Sequence, residues 1–103
     1  MTMFKAMILL KRKETVSPKA FTDWWLGGHA TLVRELPGVR RAVFNVIEDG
    51  PYDGVSELWF DTRQAFEAAY ATPHGKSVAA DTLAMVDQRV RMIVSENVIV
   101  GEA

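Results

Sequence analysis

The sequence predicts an α+β domain in which one layer of helices lies on a four-stranded antiparallel sheet. Three observations predict it. Segments with strand-like and helix-like apolar patterns follow one another in the order strand, helix, strand, strand, helix, strand. Ser17-Pro18 and Pro37-Gly38 bracket the first helix with a start and a stop. A turn-rich stretch, Asp49-Gly50-Pro51-Tyr52-Asp53-Gly54, separates the two middle strands. That order is the split βαβ unit of a ferredoxin-like domain. The 103 residues suffice for a single domain, 1–103, with a core of its own.

Each element has its own justification. Residues 3–11 alternate loosely and are rich in Ile, Leu, Met and Phe, which suits a strand buried on both faces. The basic stretch 11–15 that follows reads as a solvated loop, because Glu14 interrupts it and no second basic cluster joins it. Ser17 is placed to cap the first helix, and Pro18 stands where its missing N–H costs nothing. At 100° per residue, Phe21, Trp24, Trp25, Gly28, Leu32 and Leu36 share about a third of the helix circumference. Gly27-Gly28 interrupts that helix, which implies either a kink or a close approach of backbone to the sheet or a ligand at Gly28. A second strand runs over 39–48 and a third over 55–61. Thr62 caps a second helix with Ala65, Phe66, Ala69 and Tyr70 on its apolar side. Thr72-Pro73-His74-Gly75 breaks it, a shorter helix covers 77–85, and the last strand lies near 89–100.

On the third strand Ser56, Leu58 and Phe60 share one face, and Val55, Glu57 and Trp59 the other. Both faces carry large apolar groups, while helices are available for only one. A second copy of the chain is the simplest cover for the open face, so a homodimer is expected. Composition narrows the chemistry further. Lys and Arg number 12 against 13 Asp and Glu, which argues against a nucleic-acid partner. The absence of Cys removes disulfides, a thiolate nucleophile and Cys-ligated metal centres. Two widely spaced His make no metal motif, and no P-loop, GxGxxG, HExxH or GxSxG occurs. The run from Ala6 to Leu10 is too short for a membrane span or a signal segment, so a cytoplasmic protein without a membrane partner is expected.

The polar residues that remain are few. His29 lies within the first helix at the edge of its apolar arc, where a rigid imidazole reaches a cleft between helix and sheet; its ordinary pKa near 6.5 suits acid–base work. The plainer reading is a boundary histidine. Glu57 is a charge in the middle of a strand, either paired with Arg41, Arg89 or Arg91 or held as a proton carrier in a cavity. Asn45 is a mid-strand amide able to orient a carbonyl, and Tyr52 offers a phenol from a loop. His74 sits in a turn. Trp25 and Trp59 are read first as core or interface and second as walls of a cavity.

Three stretches resemble the EthD family of dimeric α+β-barrel proteins: Phe4 to Arg12; Trp24 through His29-Ala30 to Leu36-Pro37-Gly38; and Pro51-Tyr52-Asp53-Gly54-Val55-Ser56-Glu57-Leu58-Trp59-Phe60-Asp61. The closing Glu96-Asn97-Val98-Ile99 extends the likeness to nearly the whole chain. The resemblance implies a ferredoxin-like protomer whose sheet packs on that of a twin, with a cavity in each protomer. It implies a helical histidine at His29 and polar cavity residues at Asn45, Tyr52 and Glu57. A second histidine in a Pro-containing turn is similar to His74. Among members and fold relatives are cofactor-independent isomerases, cyclases, decarboxylases, dehydratases and monooxygenases, and accessory proteins of ether-degrading systems. The expectation is a small enzyme without metal or cofactor that performs isomerase or lyase chemistry on a cyclic or aromatic acid, a lactone or a polyketide-like substrate. His29, Glu57 and Tyr52 are its expected catalytic groups, and Asn45, Trp25, His74 and Trp59 line the substrate. An accessory small-molecule binder and a cofactor-free monooxygenase are the alternatives.

Overall fold

Residues 2–101 are described by a computed structural model. Strand β1 (Phe4–Arg12) lies between β3 (Gly54–Phe60) and β4 (Val86–Val94), and β2 (Arg41–Val46) extends the other edge, giving the order β2-β3-β1-β4. All three pairings are antiparallel. The predicted ferredoxin-like α+β arrangement is the one observed. The helices occupy a single face: α1 (Pro18–Trp24), a five-residue π turn (Trp25–His29) and α2 (Ala30–Arg34), followed after β3 by α3 (Arg63–Ala71) and α4 (Pro73–Met85).

Local chemistry explains these boundaries. The Ser17 hydroxyl accepts from the Ala20 N–H at 3.1 Å, and Pro18 opens α1. Thr62 caps α3 in the same way, accepting from Ala65 at 3.0 Å. Thr72-Pro73-His74-Gly75 is a corner and not the expected loop. The Thr72 hydroxyl donates to Ala69 at the end of α3 and accepts from Gly75 in the first turn of α4, so one residue closes one helix and opens the next. Gly75 is required there, because a Cβ would stand 2.1 Å from the Ala69 carbonyl oxygen. Helix α4 therefore begins at Pro73, four residues earlier than expected. The last strand is likewise displaced, ending at Val94, and leaves Val98, Ile99 and Val100 exposed.

The core fills the space between helices and sheet. Ala6, Leu10, Leu58 and Phe60 from the strands meet Phe21, Trp25, Val33, Phe66, Ala69 and Val78 from the helices and Leu36 from the turn after α2. Strand alternation sends Lys5, Met7, Leu9, Val43, Val55, Glu57, Trp59 and Met92 to the opposite face, which none of the helices among the described residues covers.

The first helix departs from its predicted wheel. Its buried residues are Phe21, Trp25, His29, Val33 and Leu36, while Gly28 is exposed and Leu32 only half-buried. A spacing of four drifts by 40° per step in a helix of 3.6 residues per turn. The π turn absorbs that drift: the Ala30 N–H reaches back five residues to the Trp25 carbonyl. Gly27 and Gly28 are not making room, since a Cβ at either would meet nothing within 4 Å. Both are poor α-helix formers, so the local exchange of α for π hydrogen bonding costs less there than at most residues.

Candidate active site

The π turn carries His29 inward. It is 4% exposed, buried and not at the boundary the wheel suggested. Its Nδ1 lies 2.8 Å from Oδ2 of Asp81 on α4, and the same carboxylate oxygen accepts from the Trp24 indole N–H at 3.0 Å. Because a carboxylate accepts, Nδ1 carries the proton, and in the neutral ring Nε2 keeps a free lone pair. The Thr82 hydroxyl stands 3.4 Å from Nε2 and 3.2 Å from the Val78 carbonyl oxygen. The Trp24 indole lies 4.8 Å from the imidazole between ring centroids, so the ring is held from the side as well as at Nδ1.

Burial lowers the His29 pKa from 6.5, and the hydrogen bond and charge of Asp81 only partly restore it. The imidazole is therefore neutral at pH 7, the form a general base needs. When it accepts a proton, the Asp81 carboxylate is already in place to balance the charge. The same depression has a stability consequence. As pH falls through 6.5 the unfolded chain takes up its proton first, so the group's contribution is complete above 6.5 and declines below it. The decline is at most about 1.4 kcal/mol per pH unit. Urea unfolding at about pH 7 and about pH 5 checks this, with His29→Gln expected to lose less stability between the two than the parent.

His29 opens on a small cavity of about 30 Å³ between the helices and the sheet. Trp25, Phe44 and Leu58 wall it with apolar surface, and Ser56, Tyr70, Thr82 and Arg89 bring polar groups to it. The Trp25 and Phe44 rings stack at 4.6 Å and 14°, closing the side toward β2. Burial pushes the Tyr70 phenol up to about 12, against the opposing influence of Arg89 and Arg91, so it too is neutral at pH 7.

Five of the seven sequence-predicted residues divide between two places, and Tyr52 and His74 lie in neither. His29 and Trp25 meet at this cavity. Asn45, Glu57 and Trp59 stand on the opposite face of the sheet. There the Lys5 ammonium is 2.8 Å from Glu57 and 3.1 Å from Glu96, and it lies 4.5 Å from the Trp59 ring centroid. Asn45 donates to Glu57 at 2.9 Å. The expected partners of Glu57 are corrected in part. Lys5 holds it, and Arg41, one of the expected partners, adds its charge from β2, whereas Arg89 and Arg91 pair across β1 with Leu10 and Ile8 and belong to the helix side. The hydrogen bonds from Lys5 and Asn45 keep Glu57 below the usual carboxylate range, so the proton-carrier alternative does not describe it. Tyr52 is half-buried in the loop before β3 and does not line the His29 cavity. His74, at the start of α4, donates from Nε2 to the Leu32 carbonyl oxygen at 2.7 Å, tying α4 to α2.

Asp81, Thr82, Tyr70 and Ser56 are the residues that sequence reasoning missed. A polar pair, Asp81-Thr82, inside an alanine-rich helix was the one local signal for two of them. Residues 13–89 match the EthD domain, a span that includes the π turn, His29 and the Asp81-bearing helix. The chain belongs to the EthD family. Among solved structures, an EthD-family protein from Bacillus halodurans is similar to this EthD protein with a TM-score of 0.82 and 24% identity, over 93% of this chain and 100% of that one. A dimeric ferredoxin-like protein of unknown function from Thermobifida fusca follows at 0.75 and 19%, covering 91% of this chain and 92% of that one. SnoaB, a cofactor-independent oxygenase from Streptomyces nogalater, is similar at 0.75 and 16%, over 97% and 98%. At such identities the likenesses establish the fold, which by itself leaves the reaction open.

Proposed function

We propose that this EthD protein is a cofactor-independent enzyme that moves protons on a cyclic or aromatic acid, lactone or polyketide-like substrate. The single observation that carries the reading is the buried His29, its Nδ1 held by Asp81, at the wall of a largely apolar cavity. His29 Nε2 takes a proton from an acidic C–H or O–H of the substrate, Asp81 positions the ring and balances the imidazolium, and burial of the ring strengthens both interactions. Returning the proton elsewhere on the substrate is isomerisation. Returning it to a leaving oxygen is dehydration.

The test is deuterium exchange. Candidate lactones and aromatic keto acids incubated with the protein in D2O are expected to gain deuterium at their acidic carbon, or to be converted, faster than in buffer alone. Recovery of every candidate unchanged and unlabelled defeats the reading and leaves a small-molecule carrier. A second reading, oxygenation of an electron-rich phenol or quinol, draws support from the fold shared with SnoaB. It needs the same base for its first deprotonation, and oxygen consumption during turnover separates the two.

The protein acts as a homodimer in this proposal. Met7, Leu9, Val43, Val55, Trp59 and Met92 form a half-buried apolar surface on the sheet face that no helix covers, and a twin sheet is its natural complement. The dimeric relative from Thermobifida fusca supports this assembly. Sedimentation at micromolar concentration is expected to show a species of twice the 11.5 kDa chain mass. A single 11.5 kDa species is the opposing result.

A further inference from the structure

The His29 cavity is too small to hold a ring substrate alone. Between α4 and the edge strand β4 lies a groove of about 380 Å³. Ile8, Tyr70, Ala79 and Arg89 line both, so groove and cavity lie side by side against the same residues. Apolar side chains, chiefly Phe66 and Leu83, line the walls of the groove.

Its charge is one-sided. Lys76 from α4 and Arg89 and Arg91 from β4 line it, and among the described residues no acidic one does. The chain as a whole carries a net charge of −1, so three cations at one opening depart from its average. The cations that pair with carboxylates among the described residues are Lys5, Arg12, Lys19, Arg40 and Arg63, all outside this groove. Arg89 and Arg91 are two apart on β4 and so project to the same face. Arg91 lies 5.1 Å from the Phe66 ring centroid, which orients its guanidinium along the apolar wall.

We propose that this groove is the mouth of the His29 cavity and binds the carboxylate of an apolar ring acid, with Arg89 and Arg91 as the anion-binding pair, Lys76 adding charge, and the ring directed inward toward His29. A guanidinium offers a planar fork of donors that matches a carboxylate, and apolar walls on both sides weaken competition from water. Tyr70, shared by groove and cavity, adds a neutral phenol donor beside Arg89. The proposal rests on reading the His29 cavity as the substrate cavity, and it narrows the substrate class to carboxylates.

Calorimetric titration with 2-naphthoate and its neutral isostere 2-naphthamide tests it. The acid is expected to bind about tenfold more tightly than the amide at low salt, with the preference shrinking as salt rises. Arg89→Gln and Arg91→Gln are each expected to reduce that ratio several-fold without weakening the amide, while Lys19→Gln, outside the groove, leaves it intact. His29→Gln should also preserve the preference. Equal affinities for acid and amide, a preference that survives both arginine substitutions, or no naphthoate binding below about 1 mM would each overturn the proposal. If the preference holds in the parent while no substrate exchanges deuterium, the proton-transfer reading fails and the carboxylate site stands.

Discussion

His29→Gln is expected to slow catalysed deuterium exchange by about 10²–10⁴-fold, the usual contribution of a positioned general base. Gln is the informative replacement because its amide N–H can still donate to Asp81 and it fills most of the space of the ring. What disappears is the lone pair at Nε2. Substrate binding should survive, so a loss confined to turnover and absent from affinity identifies a base and not a packing residue. Asp81→Asn is expected to act in the same direction through another route. One oxygen of Asp81 serves both Nδ1 and the Trp24 indole, so an amide keeps those bonds only through its uncharged carbonyl oxygen, a weaker acceptor that holds and polarises the ring less. The substitution also removes the charge that balances the imidazolium. An unaltered exchange rate in a folded His29→Gln protein rejects the proposed role, with circular dichroism supplying the check on folding.

Trp25→Ala is expected to destabilise the protein by about 3–5 kcal/mol, as truncation of a buried aromatic does. Trp25 is 1% exposed and stacks on Phe44, and Phe21 lies 5.4 Å away between ring centroids. Its fit to β3 is equally tight. A Cβ placed on Gly54 would come within 2.6 Å of the indole, so that glycine is the floor on which the ring rests. The two positions therefore make a coupled pair. Gly54→Ala alone should destabilise, because a 1%-exposed indole has nowhere to move. In the Trp25→Ala background the added methyl enters a vacated space and should cost little. Urea unfolding of the parent, both single variants and the double variant at one protein concentration measures the coupling. Additive losses would mean that the contact carries no energy.

The local punctuation of the chain was legible from one sequence. Ser17-Pro18, Thr62 and Pro37-Gly38 mark the helix ends near which the structure changes element, and β3 alternates as its residues imply. Expectations failed where an interaction outside the segment decided the outcome. Thr72-Pro73-His74-Gly75 contains every residue type of a loop, yet Thr72 caps two helices at once and Gly75 lets them touch. The expected last strand reaches Val100, but Val98, Ile99 and Val100 pair with no strand.

The candidate site shows the same division. The wheel placed His29 at the margin because 100° per residue presumes an unbroken α-helix. Five residues of π turn were enough to rotate it fully inward and Gly28 out. Asp81 lies 52 residues from His29, and no periodicity within either helix connects them. Glu57 and Asn45 looked like cavity groups because a polar residue in a strand asks for a partner. Their partners are each other and Lys5, on the far side of the sheet.

By itself the sequence determined the order of the elements, the one-sided helix layer, the open sheet face and the family. These depend on residue type and on spacing along the chain, which a sequence displays directly. Tertiary structure alone decided which polar residues meet. The strand register sends Glu57 away from His29, and the packing of α4 against the π turn brings Asp81 to it. Such choices depend on distances between residues far apart in the chain.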